Sequence, residues 1–188
     1  MTGGHVTAAG PIRLKHSVVL IGMMGAGKTA VGNALARLLQ VDFKDSDEEI
    51  SLAAQMTIAE IFERDGEAFF RARENEVLHR LLSGPPLVLS TGGGAFLAEQ
   101  NRKTIAERGV SVWLKADLEL LWNRVRHKTT RPLLRNADPK GTLQRLLQDR
   151  APIYAQAAIT VEAEADLSIE AMAQKVIKAL KDNGDILE

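Results

Sequence analysis

Apolar residues fall along this chain in short unbroken runs, and between the runs they return every three or four positions. A short apolar run bounded by polar residues reads as a buried strand, and a return at a period of about 3.6 reads as an amphipathic helix. The run SVVLIG (17–22) predicts the first strand, with a helix after it from about Lys28 to Gln40. VDFKDSD (41–47) supplies a short second strand and its loop. LVLS (87–90), VSVWL (110–114) and ITVEA (159–163) predict strands three to five. Thr57 with Glu60 forms a capping box ahead of IFERDG, and a longer helix runs through 68–82. Asp117 and Ser168 are suited to N-cap the helices after the last two strands, and Asp138 with Pro139 starts a further helix. Strands separated by helices predict an α/β fold with a parallel sheet covered on both faces. In such sheets ligands sit beyond the C-terminal ends of the strands.

Composition then removes several function classes. At 188 residues, with 45% hydrophobic and 26% charged content, the chain reads as one soluble domain. Lys+Arg and Asp+Glu are both 24, so no overall field favours nucleic acid or an anionic membrane as partner. The absence of cysteine excludes disulfides, thiol catalysis and cysteine-bound metal, and it accords with a reducing compartment. Residues 1–16 lack the apolar core of a secretory signal and are expected to form a loose arm, with 17–188 as the single domain. A cytoplasmic location and a monomer are the expectations.

The chemistry gathers in a few stretches. GMMGAGKT (22–29) fits the phosphate loop, a turn whose N–H groups converge on phosphate at a helix N-terminus. Met24, Gly25, Ala26 and Gly27 would line the phosphates, Lys28 would reach the β- and γ-phosphates, and Thr29 would ligate Mg²⁺. Asp45 and Asp47, in DSD after the second strand, could serve Mg²⁺ or accept a hydroxyl proton, or simply start a helix with favourable charge. On a helical wheel, Phe70, Val77, Leu78, Leu81 and Leu82 define an apolar arc that also contains Arg71 and Glu74. After Pro139, Arg150 shares an arc with Leu143, Leu146 and Leu147. A charge on a buried face needs a partner. Glu74 could neutralise Arg71, whereas Arg150 has no neighbour in sequence for that task, and an anionic ligand is one alternative to a salt bridge. The basic stretch 123–136 reads either as a solvated loop or as a lid, with Arg131 ahead of Pro132 its best-placed cation. Finally, Gly92-Gly93-Gly94 would let an acceptor approach a backbone that carries no Cβ.

Taken in order, GMMGAGKT, DSD, DGEAFFRARE, STGGGA, TRPLL and DRAPIY resemble the shikimate kinase family. The likeness spans about 17–180. It implies a P-loop NTPase fold with a five-stranded parallel sheet in the order 2-3-1-4-5 and a mobile lid at about 123–137. It implies ATP as co-substrate at Lys28 and Thr29, Mg²⁺ at Thr29 and Asp45, and Arg131 in the lid. It further implies Asp47, Arg71, Gly93 and Arg150 around shikimate, with Lys28, Asp47 and Arg131 as the catalytic set. A gluconate-type sugar kinase and a non-enzymatic nucleotide switch are the competing readings.

Overall fold

The computed structural model describes residues 12–128, 132–184 and 187. Strands β1 (Ser17–Ile21), β2 (Phe43–Asp45), β3 (Val88–Ser90), β4 (Gly109–Lys115) and β5 (Ile159–Glu162) form one parallel sheet in the order β2-β3-β1-β4-β5. The order matches the expectation. All five residues of β1 are buried, so both faces of the sheet centre are covered. At the edge, β5 alternates buried and exposed residues, as a strand covered on one face must.

The connecting helices are α1 (Lys28–Leu39), α2 (Ser46–Ala54), α3 (Ile58–Leu82), α4 (Glu99–Arg108), α5 (Leu118–Val125), α6 (Pro139–Tyr154) and α7 (Ile169–Asp182). Their starts carry the anticipated caps. The Thr57–Glu60 box closes in both directions, and Asp117, Asp138 and Ser168 each accept a hydrogen bond from the first turn. Val18, Leu20, Leu35, Leu89, Leu114, Leu121 and Leu180 are completely buried in the main core. A smaller core of Ile50, Ile61, Phe70 and Val77 ties α2 to α3.

Two boundaries differ from the sequence reading. Leu14 belongs to the stretch expected to be a loose arm, yet it is buried in the main core and bridges Leu187 in antiparallel fashion. The packed part of the chain therefore includes residues before Ser17. The proposed lid at 123–137 also starts too early, because residues 123–125 form the last turn of α5 and Val125 is buried. Within the same stretch, Pro132–Leu134 forms a 3-10 turn with Leu134 packed into the core. Arg131 lies outside the described residues.

Between the capping box and the part of α3 that carries Arg71, the helix breaks at Gly66, with φ 81° and ψ 174°. Only glycine occupies that region without strain. A Cβ at Gly66 would meet no atom within 4 Å, so replacement there acts through the backbone alone. Gly66→Ala is expected to lose about 1–3 kcal/mol in urea unfolding. An unchanged midpoint would show that the break can be absorbed by neighbouring residues.

Candidate active site

The phosphate loop leaves β1 and ends at Gly27, the N-cap of α1. Two cations hold its carbonyls. Lys28 Nζ donates to the carbonyls of Gly22 (2.8 Å) and Met23 (2.9 Å), and Arg124 Nη1 donates to those of Gly25 (3.1 Å) and Ala26 (3.2 Å). In a trans peptide the N–H points opposite to the carbonyl, so the N–H groups of Met24 and Gly27 face away from these cations. The first turn of α1 adds N–H groups that have no partner within the helix. The loop is thus arranged for an anion.

Beside it, Asp45 starts α2, one of the tasks considered for it. Its Oδ1 caps α2 by accepting from the N–H groups of Asp47 (3.0 Å) and Glu48 (3.3 Å). Its Oδ2 accepts from the Thr29 hydroxyl at 3.3 Å, which brings two oxygen donors together next to the loop. Such a hard-oxygen set suits Mg²⁺. Asp45 and Asp47 both line a cleft of about 610 Å³ that contains the phosphate loop, Gly92 and Gly93, and extends to Leu167 and Met172 after β5.

The three glycines after β3 explain themselves through what stands where a Cβ would be. At Gly92 that atom would lie 2.8 Å from Asp47 Oδ1. At Gly93 it would lie 3.1 Å from Arg150 Nη1, and at Gly94 2.5 Å from Arg71 Nη2. Each glycine makes room for a different charged side chain, drawn from α2, α6 and α3. The missing Cβ atoms were expected to admit a ligand. They admit the residues that would surround it.

The reading that Glu74 neutralises Arg71 also holds. Arg71 Nη1 pairs with Glu74 Oε1 at 2.8 Å, and Glu74 is completely buried. Asn101, on α4, donates one side-chain N–H group to Glu74 (3.3 Å) and to the carbonyl of Ala95 (2.8 Å), and its oxygen accepts from Asn75. Burial pushes the Glu74 carboxyl above its ordinary range, and the Asp47 charge adds to this, while Arg71 and Asn101 pull the other way. Arg150 is half-buried and sits against the Gly93 turn beside the hydroxyl of Tyr154, which is completely buried.

The comparisons with known proteins fit this arrangement. A family model described as shikimate kinase matches residues 24–181. The chain belongs to the shikimate kinase family. A shikimate kinase of Ruegeria pomeroyi is 63% identical over 179 residues, covering 95% of this chain and 92% of that protein. One from Cereibacter sphaeroides is 64% identical over 176 residues, covering 94% of this chain and 88% of that protein. A solved shikimate kinase from Acinetobacter baumannii, in complex with shikimate, superposes with a TM-score of 0.85 at 41% identity. That match covers 90% of this chain and 94% of the other.

Measured against this shikimate kinase fold, the sequence reading brought together Met24, Gly25, Ala26, Gly27, Lys28, Thr29, Asp45, Asp47 and Gly93 in one cleft, with Arg71 and Arg150 against the same glycine turn. It missed the part played by Arg124, which was counted among lid cations and instead fastens the phosphate loop. Its position in the last turn of the strongly amphipathic helix α5 was the available signal. The wall contributed by Leu167 and Met172 was also missed, because those residues carry no motif.

A pH test follows from Glu74. A carboxyl whose folded value is raised above the ordinary 4.5 loses stability as pH climbs from there through the folded value. The stability difference between the wild type and Glu74→Gln should therefore move in favour of the variant as pH rises through that window. Urea midpoints across pH 4 to 8, about the range usually accessible, would show it. A shift in the opposite sense would mean that the Arg71 pair outweighs burial.

Proposed function

We propose that this chain transfers the γ-phosphoryl group of ATP to the 3-hydroxyl of shikimate, giving shikimate 3-phosphate and ADP on the route to chorismate and the aromatic amino acids. The observation that carries the reading is the pairing, in one cleft, of an anion-binding loop with a glycine turn ringed by Asp47, Arg71 and Arg150. The phosphates of ATP lie along Met24 to Lys28, and the base extends toward Leu167 and Met172. Thr29 and Asp45 hold Mg²⁺, which when bound neutralises charge on the phosphate oxygens.

On the acceptor side, Arg71 and Arg150 bind the shikimate carboxylate, and the Gly93 backbone contributes a hydrogen bond. Asp47 orients the 3-hydroxyl and takes up its proton as the new O–P bond forms. Lys28 turns from the loop carbonyls to the phosphates, and Arg131 meets the charge that builds on the transferring group. The same reading includes a monomer, since one chain supplies both sides of the cleft, and a cytoplasmic location, which accords with the absence of cysteine.

An assay of ADP release with shikimate, gluconate and nucleoside monophosphates in parallel tests the substrate. Release is expected only with shikimate, and only with Mg²⁺ present. Equal turnover of gluconate would defeat the assignment.

Arg71→Lys separates the carboxylate from the nucleotide. Lysine keeps the charge but loses the planar fork, so shikimate affinity should fall by roughly ten- to a hundredfold while ATP affinity holds. Isothermal titration that finds shikimate affinity intact in the folded variant would leave Arg71 as a structural partner of Glu74 and Glu67.

A further inference from the structure

Tyr154 closes α6, four residues after Arg150 and therefore on the same face of the helix. It is the chain's single tyrosine and is completely buried, with its ring centroid 5.9 Å from that of Trp113. A phenylalanine would fill this space equally well. The hydroxyl is therefore the feature that needs explaining, because a buried O–H is costly without partners. It donates to the Gly93 carbonyl, and it lies beside the Arg150 guanidinium, the two groups standing 3.7 and 3.1 Å from where a Cβ of Gly93 would be.

We infer that Tyr154 is a positioning residue for the acceptor: its hydroxyl, set between the Gly93 carbonyl and the Arg150 guanidinium, fixes the orientation of both. This rests on the reading of Gly93 and Arg150 as contacts of shikimate. The hydroxyl has one proton. Met23 Sδ, the other neighbour, is 3.9 Å away, so the proton goes to Gly93. With the Tyr154 hydroxyl and the Arg150 guanidinium bordering the same point at Gly93, the hydroxyl limits how the planar fork can turn, and the N–H groups that face away from it are available to a carboxylate.

The bond from the hydroxyl to the Gly93 carbonyl locks the peptide between Gly93 and Gly94. The preceding peptide is locked separately, because the Gly92 carbonyl accepts from the N–H of Ala95 at 3.1 Å. With both flanking planes held, the Gly93 N–H has a fixed direction in a turn that lacks side chains to restrain it. A glycine run would otherwise be free to rotate. Tyr154 removes that freedom before any ligand arrives.

Tyr154→Phe deletes the hydroxyl and keeps the ring. The KM and Kd for shikimate are expected to rise about five- to tenfold, with the KM for ATP within about twofold of the wild type. A hydroxyl that merely stabilised the core would lower the unfolding midpoint and leave shikimate binding unchanged, and that result would overturn the inference. Arg150→Ala, measured beside it, separates the two levels. If Arg150→Ala loses shikimate affinity while Tyr154→Phe keeps it, only the role of Tyr154 falls. If Arg150→Ala itself binds shikimate normally, the acceptor reading falls and this inference with it. A measurement on the unaltered fold uses fluorotyrosine, which labels position 154 alone. Its fluorine resonance should move when shikimate saturates the protein and stay in place with ADP alone. A resonance indifferent to shikimate would refute the positioning role even if the phenylalanine variant failed to fold.

Discussion

The close approach of three charged side chains to one stretch of bare backbone is the constraint on which the acceptor side of this structure depends. Asp47, Arg150 and Arg71 come from three different helices, yet each ends within about van der Waals distance of where a Cβ would stand at Gly92, Gly93 or Gly94. Such convergence requires the strand that feeds the turn to be fixed. β3 is fixed, since it is buried throughout and paired on both sides by β1 and β2. The parallel sheet thus supplies rigidity, and the glycines supply room.

The donor side solves a different problem with opposite means. A phosphate loop must point N–H groups at an anion, which requires its carbonyls to be held elsewhere. Lys28 and Arg124 hold four of them, one cation from within the motif and one from α5. The cations therefore shape the loop before they meet any phosphate. Because β1 and β3 are neighbours in the sheet, the loop after one and the glycine turn after the other open on the same cleft. Their adjacency follows from strand order and needs no further device.

Much of this was legible in the chain because the signals were local. Apolar runs marked every strand but β2, which was read from the mixed stretch VDFKDSD, and capping residues marked helix starts at Thr57, Asp117, Asp138 and Ser168. The buried faces of α3 and α6 exposed Arg71 and Arg150 as charges out of place, since an arc of 3.6-residue period needs no knowledge of the partner it packs against. What stayed hidden depends on contacts between residues far apart in sequence. Arg124 and Gly25 are 99 residues apart, and Tyr154 and Gly93 are 61 apart. Leu14 misled for the same reason, as its pairing with Leu187 is made at the other end of the chain. The division between sharing a face and sharing a hydrogen bond is where reading from sequence ended.

The glycine turn has a consequence for redesign of the acceptor pocket. Each missing Cβ is matched to one particular side chain, so the six positions form three pairs, Gly92 with Asp47, Gly93 with Arg150 and Gly94 with Arg71. A library that varies only the glycines would push Asp47 and Arg71 from their places and crowd Arg150. One that varies only the charged partners would keep a backbone notch shaped for groups no longer there. Diversity is productive when both members of a pair change together, the larger residue moving onto the turn as the smaller one moves to the helix. New acceptors would then be sought among paired exchanges, a search space far smaller than six independent sites.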